Sequence, residues 1–288
     1  VYSYLVVNAV FIAIWKMVNA VFNRPDQKKM ALVFMGIFVL SPATAVQFGN
    51  DFGRLDPSNI LVMLLSIWIV LYKSEYWILV LIPTLSSIAV LIHEIYIFTG
   101  LPLVLAAMYL RSNQLNLKMA FAVLMGTVFL VMLGILFFGN ADYQFTIDYL
   151  TAQTGFTGEE FPIAVWTSSL FQNLSFTFER YEQAKTWTSF LRDLSVLLPY
   201  VLLIWFAFRN KNLNRPTKLV LFAPLAILPL FLIGIDFSRW MGLIILNFMI
   251  AFLIAWHHLK PEIEDKSLNK RYLYLGYFTM LVGFVVVK

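Results

Sequence analysis

The stretch 119–138 reads MAFAVLMGTVFLVMLGILFF, twenty residues with neither a charge nor a proline. At about 1.5 Å rise per residue such a helix is about 30 Å long, the thickness of a bilayer's hydrocarbon core. It offers no polar face to water, so it reads as a helix whose surroundings are lipid and other helices. Similar apolar segments lie near 5–22, 30–46, 58–72, 76–91, 95–110, 194–208, 219–235, 239–256 and 272–287. Several are short for a span, which implies tilt or locally thinned bilayer. The stretch 76–110 is too long for one helix, and the polar pair His93-Glu94 divides it, with a re-entrant pair as the alternative to two short helices.

Composition agrees. Of 288 residues 60% are hydrophobic and 13% charged, with mean hydropathy +0.78, whereas soluble domains are about 45–50% apolar and about 25% charged. The expected fold is therefore all-α: a polytopic integral membrane helical bundle of about ten transmembrane helices, one transmembrane domain over 1–288. The absence of cysteine excludes disulfide scaffolds, zinc thiolate centres and cysteine nucleophiles. The chain starts at Val1, and no basic segment or small-residue cleavage site precedes the first apolar run. An upstream segment is expected to be missing.

The loops set the orientation. Fourteen of the 21 Lys and Arg residues fall on every second loop: Arg24, Lys28 and Lys29; Lys73; Arg111 and Lys118; Arg209, Lys211, Arg215 and Lys218; Lys260, Lys266, Lys270 and Arg271. The alternate loops hold only Arg54, Arg180, Lys185, Arg192 and Arg239, but 11 of the 16 acids. By the positive-inside rule the basic set is cytoplasmic. The net charge of +5 is thus a matter of topology, and no nucleic-acid partner is expected.

Four polar features then face the exterior together: the stretch 51–56, the His93-Glu94 turn, the loop 139–193 and the stretch 236–240. Two of them share a G-x-D-F-x-R frame, GNDFGRL at 49–55 and GIDFSRW at 234–240. In each, Asp and Arg three apart share one face of a first helical turn. The plain alternative is an N-cap followed by a snorkelling arginine, with Trp240 in the interfacial aromatic belt. As a site, Arg54 and Arg239 would hold phosphate oxygens, for which a planar, permanently charged fork is suited.

Ionisable groups at membrane depth are costly and are functional candidates by default, which singles out His93 and Glu94. Histidine shuttles protons near neutral pH, and a partly desolvated glutamate has its pKa raised toward the same range. The sequence HEIYI lacks the second histidine of a zincin motif, and no phosphate-loop or dinucleotide-binding frame occurs. No metal or cofactor is expected. His257-His258 reads as part of a solvated cytoplasmic linker. The loop 139–193 is acidic and aromatic and reads as amphipathic helices lying on the exterior surface. Such a ledge also suits sugar rings, whose CH faces stack on aromatics.

In topology, exterior loop and outer arginines with adjacent carboxylates, the chain resembles polytopic bacterial envelope-glycan enzymes: Wzy-type polysaccharide polymerases and, more loosely, GT-C glycosyltransferases. The resemblance implies a multi-pass protein of the bacterial inner membrane, acting on a lipid-linked glycan among membrane lipids. Arg54 and Arg239, with Trp240 beside them, would bind the diphosphate, and Asp51, His93, Glu94 or Asp236 would activate the acceptor hydroxyl. Such chemistry needs no cofactor, because the donor energy is stored in the diphosphate linkage. Two alternatives stay open: a transporter or flippase with a His93-Glu94 proton relay, and a non-catalytic subunit whose loop 139–193 docks a partner protein.

Overall fold

The computed structural model describes residues 2–23, 28–48, 55–111, 116–139, 143–154, 214–233 and 236–264, with isolated residues between 175 and 209. Among the described residues every regular element is helical. In chain order they are α1 (Tyr2–Val21), α2 (Lys28–Leu40), α3 (Pro42–Phe48), α4 (Asp56–Tyr72), α5 (Glu75–Ile92), α6 (Tyr96–Thr99), α7 (Leu101–Leu110), α8 (Leu117–Phe138) and α9 (Tyr143–Thr154). Then follow α10 (Arg215–Phe222), a 3-10 turn at Ala223–Ile227, α11 (Leu230–Ile233) and α12 (Phe237–Glu264).

Five stretches of the described residues are long and apolar enough to cross a membrane: Tyr2–Val21, Glu75–Ile92, Leu117–Phe138, Arg215–Leu232 and Arg239–His258. Ala31–Leu40, Asp56–Tyr72 and Tyr96–Leu110 are shorter apolar helices. The expected ten spans are thus supported in part. The segment at 272–287 lies outside the described residues, and 194–208 is described only at isolated positions.

Proline places most of the breaks. It lacks the N–H of a helix interior but is tolerated in the first turn. Pro42 separates α2 from α3, where Thr44 Oγ1 donates to the Phe38 carbonyl at 2.5 Å. Pro57 opens α4 and Pro102 opens α7. Pro224 sits in the 3-10 turn, and Pro229 lies just before α11. Asn116 and Asn214 cap α8 and α10, each accepting from the backbone N–H three residues on.

Side-chain contacts fix which helix ends lie together. At one end Tyr2 bonds Ser58 at 2.8 Å, Gln47 donates to the Arg239 carbonyl at 2.7 Å, and Asn59 donates to the His93 carbonyl at 3.1 Å. This end therefore holds the starts of α1, α4 and α12 and the finishes of α3 and α5. At the other, Arg111 Nη1 donates to the carbonyls of Val70 and Lys73, at 2.6 and 2.7 Å. There the Asn116 N–H donates to Glu75 Oε1 at 2.8 Å, and His258 meets Asn214 at 3.3 Å. The α6–α7 unit leaves the first end at His93 and reaches the second at Arg111, so it traverses the bundle and is not re-entrant. Among the described residues, Lys28, Lys29, Lys73, Arg111, Lys118, Arg215 and Lys218 all belong to helix ends on the second side, opposite Arg239.

Burial ranks the helices from centre to edge. In Arg239–His258 89% of the apolar window is buried by protein, against 11% in Leu117–Phe138. A helix apolar all round is enclosed by other helices or by lipid; α12 is the first case and α8 the second. Around α12 pack α1, α3, α7 and α10, while α8 leans chiefly on α5. The lipid side of α8 carries Phe129, Leu130, Phe137 and Phe138, all largely exposed.

The pair His257-His258 lies within α12, not in a linker. His257 packs edge-on against Tyr72 with ring centroids 5.6 Å apart. One residue earlier, Trp256 packs on Phe22 just past the end of α1 and on Phe252 of its own helix.

Candidate functional site

Arg239 stands in the first turn of α12, where Gln47 of α3 holds its backbone carbonyl. Its guanidinium crosses to the start of α4. Nε donates to Asp56 Oδ2 at 2.5 Å and Nη2 to Asp56 Oδ1 at 2.6 Å, a bidentate fork on a carboxylate only 3% exposed. Nη1 faces Asp236 Oδ2 at 3.6 Å. Asp56 also lies in the first turn of its own helix, where the N-terminal dipole favours a negative charge.

His93 closes the far side. α5 ends at His93 in an extended backbone conformation. Its ring then lies between two charges, with Nδ1 3.2 Å from Glu94 Oε2 and Nε2 3.4 Å from Arg239 Nη2. A carboxylate only accepts and a guanidinium only donates, so the ring's Nδ1 side is placed to donate to Glu94 and its Nε2 side faces the guanidinium. The contacts form one chain: Glu94, His93, Arg239, then Asp56 and Asp236. Exposure rises outward along it, from Asp56 and Arg239, mostly buried, to Asp236 at 37% and Glu94 at 61%.

Glu94 departs from expectation. Its pKa is lowered from the ordinary glutamate value, first by the hydrogen bond from His93 and then, against some desolvation, by the positive charge of Arg239 nearby. Bonding to the charged form outweighs burial at a turn this exposed. Glu94 is therefore a settled carboxylate near neutral pH rather than a group poised to exchange protons there.

Of the residues singled out in the sequence, His93, Glu94, Asp236 and Arg239 come together. Asp51 and Arg54 lie outside the described residues, although Gln47 and Asp56, which bracket their frame, both bond Arg239. Trp240 is 7% exposed and packs edge-on against Phe231 and Phe237 in the core, with centroids 5.3 and 6.3 Å away. Sequence reasoning missed Asp56 as the partner of Arg239, together with Gln47, Asn59 and Asn247. Polar side chains inside apolar segments are the signal that could have found the last two. Among the described residues no group of three or more His, Cys, Asp or Glu side chains is arranged to hold a metal ion.

Residues 201–284 match the model of a family described as uncharacterised membrane protein Rv1490. The match covers less than a third of the chain. It takes in Asp236, Arg239 and Trp240 and leaves out Asp56, His93 and Glu94. No curated protein and no solved structure matches the chain. With the apolar helices, this similarity makes the chain an integral membrane protein.

Proposed function

We propose that the protein is a multi-pass enzyme of the bacterial inner membrane that transfers or polymerises lipid-diphosphate-linked sugars at the exterior face. The observation that carries this reading is the convergence of Arg239, Asp236, His93 and Glu94 on one end of the bundle, opposite the basic end. Departure of a lipid diphosphate from an anomeric carbon leaves negative charge on phosphate oxygens, and a guanidinium held in place stabilises it without reorganising. Asp56 supplies that hold by gripping the Nε–Nη2 edge of Arg239. The attacking hydroxyl needs a base across the sugar from the diphosphate, and Glu94, set off from the guanidinium by the His93 ring, is the exposed carboxylate so placed, while Asp236 flanks the guanidinium itself. Arg54 would complete the anion clamp from the other G-x-D-F-x-R frame. Trp240, being buried, would set the direction of the first turn of α12.

The test is turnover of a polyprenyl-diphosphate-linked sugar by the protein in liposomes. Arg54→Ala and Arg239→Ala should each abolish product; the Arg239→Ala protein, though destabilised by the stranded Asp56, should still elute as a folded species. Full activity in both variants discards the proposal. A second reading, transport or flipping of such a lipid, draws on the break between α6 and α7, since interrupted helices line substrate paths in many transporters. Substrate crossing the liposome membrane without covalent change would favour it.

A further inference from the structure

At the end of the bundle opposite the basic end, His93 Nε2 and Arg239 Nη2 stand 3.4 Å apart, and both side chains are partly exposed. Each of the two residues is held twice. Gln47 Nε2 donates to the Arg239 carbonyl at 2.7 Å and Asn59 Nδ2 to the His93 carbonyl at 3.1 Å, so both backbones are fixed from neighbouring helices. Gly242 leaves space for the Gln47 amide, since a Cβ there would stand 2.9 Å from its Nε2. Carboxylates hold the side chains: Asp56 takes the Nε–Nη2 edge of Arg239, and Glu94 Oε2 lies 3.2 Å from His93 Nδ1. Arg239 Nη2 keeps a second N–H beyond the one on Asp56, and it is this one that is left for the His93 side.

We infer that His93 is the second arm of the anion site, and that binding of a lipid diphosphate there takes up a proton on Nε2. The inference rests on the reading of Arg239 as the holder of that diphosphate. With Nδ1 donating to Glu94, the neutral ring presents a lone pair at Nε2, and a phosphate oxygen would meet it acceptor to acceptor. A proton from solvent turns that lone pair into an N–H. Nε2 and Nη2 are then two charged donors close enough to share one phosphate oxygen, while Nδ1 stays on Glu94.

Charge makes the proton necessary. Among the described residues, the charged groups around the ring are Glu94 of its own turn, Asp56 in the first turn of α4, Asp236 just before α12 and Arg239 within it. From α1 comes Tyr2, whose hydroxyl bonds Ser58. Three carboxylates against one guanidinium repel an anion, and Asp56 already matches Arg239. Histidine is the side chain that adds positive charge near neutral pH. Without a ligand, an imidazolium N–H at Nε2 would face a guanidinium N–H. An oxyanion between them removes that conflict, so proton and anion each favour the binding of the other. The sign follows: binding strengthens as pH falls through the histidine range and levels off on either side. A lipid diphosphate joined to a sugar is esterified at both phosphates and keeps its charge across that range. Glu94, with its lowered pKa, keeps its charge there too.

The experiment is equilibrium binding of a fluorescent short-chain polyprenyl-diphosphate-linked glucose to the full chain in detergent, without acceptor, between about pH 6 and about pH 8.5. The expected result is a dissociation constant that falls by about tenfold or more toward the acid end, the size expected when an opposite charge arrives beside a titrating group. His93→Gln, which can still donate to Glu94, should bind at every pH as weakly as the unaltered protein does at the alkaline end. Titration calorimetry in two buffers of different ionisation heat should show up to about one proton taken up per ligand. That uptake should persist in a His257→Gln/His258→Gln variant, altered at the other end of the bundle. Binding that does not vary with pH, or varies equally in His93→Gln, overturns the inference and leaves the diphosphate reading standing. No binding at any pH overturns both. If His93→Gln does not fold, proton uptake by the His257→Gln/His258→Gln variant, in which His93 is the one histidine left, decides alone.

Discussion

Arg239 and Asp56 are 183 positions apart, yet they make the shortest charged contact among the described residues. Taking both groups out of water is expensive, and only a fork with two good hydrogen bonds recovers most of that cost. Removing one partner strands the other, so Asp56→Asn or Arg239→Gln should each destabilise the protein by about 3–5 kcal/mol. The double variant should fall well short of the sum, because the second change removes the stranded charge. Denaturant unfolding in detergent micelles of the two single variants and the double variant checks this. Strict additivity would mean the fork carries no coupling. Asp236 and Glu94, being more exposed and screened by solvent, should tolerate neutral substitution far better.

The elements are held less by any hydrophobic drive between them, since lipid is as apolar as leucine, than by close packing and interhelical hydrogen bonds. Gln47, Asn59 and Asn247 each stitch one element to the backbone of another. Glycine matters where packing is closest. A Cβ on Gly100 would land on the ring of Tyr96, with Cδ2 2.5 Å away, and Tyr96 is fully buried. Gly100→Ala should therefore destabilise by about 1–3 kcal/mol through overpacking. Gly126 and Gly134 of α8 have nothing within 4 Å of the added atom. Gly126→Ala should be neutral or stabilising by up to about 1 kcal/mol, from helix propensity alone. Melting the two variants side by side tests whether Gly100 packs as tightly on Tyr96 as described and whether α8 is as loose.

At the scale of the molecule, charge separates by end: a row of lysines and arginines on one side, the acid-rich Arg239 cluster on the other. If the basic end is cytoplasmic, as the positive-inside rule requires, Glu94 faces out and Lys73 faces in. The absence of native cysteine allows a clean check. Glu94→Cys should react with a membrane-impermeant maleimide in intact cells, and Lys73→Cys only after permeabilisation. The opposite pattern would invert the topology and with it the exterior site.

The helical class, the membrane environment and the alternation of charge were legible in the sequence, because each follows from runs of apolar residues and the positions of charges between them. Legible too was the candidacy of His93, Glu94, Asp236 and Arg239, since ionisable groups at the ends of apolar runs stand out by their cost. Only the tertiary structure could give Arg239 its partner in Asp56, seat Trp240 in the core, extend α12 through His257-His258 and turn Glu94 toward a lower pKa. Those outcomes depend on which helix ends meet, and a pattern of local periods contains no information about pairing across 183 positions.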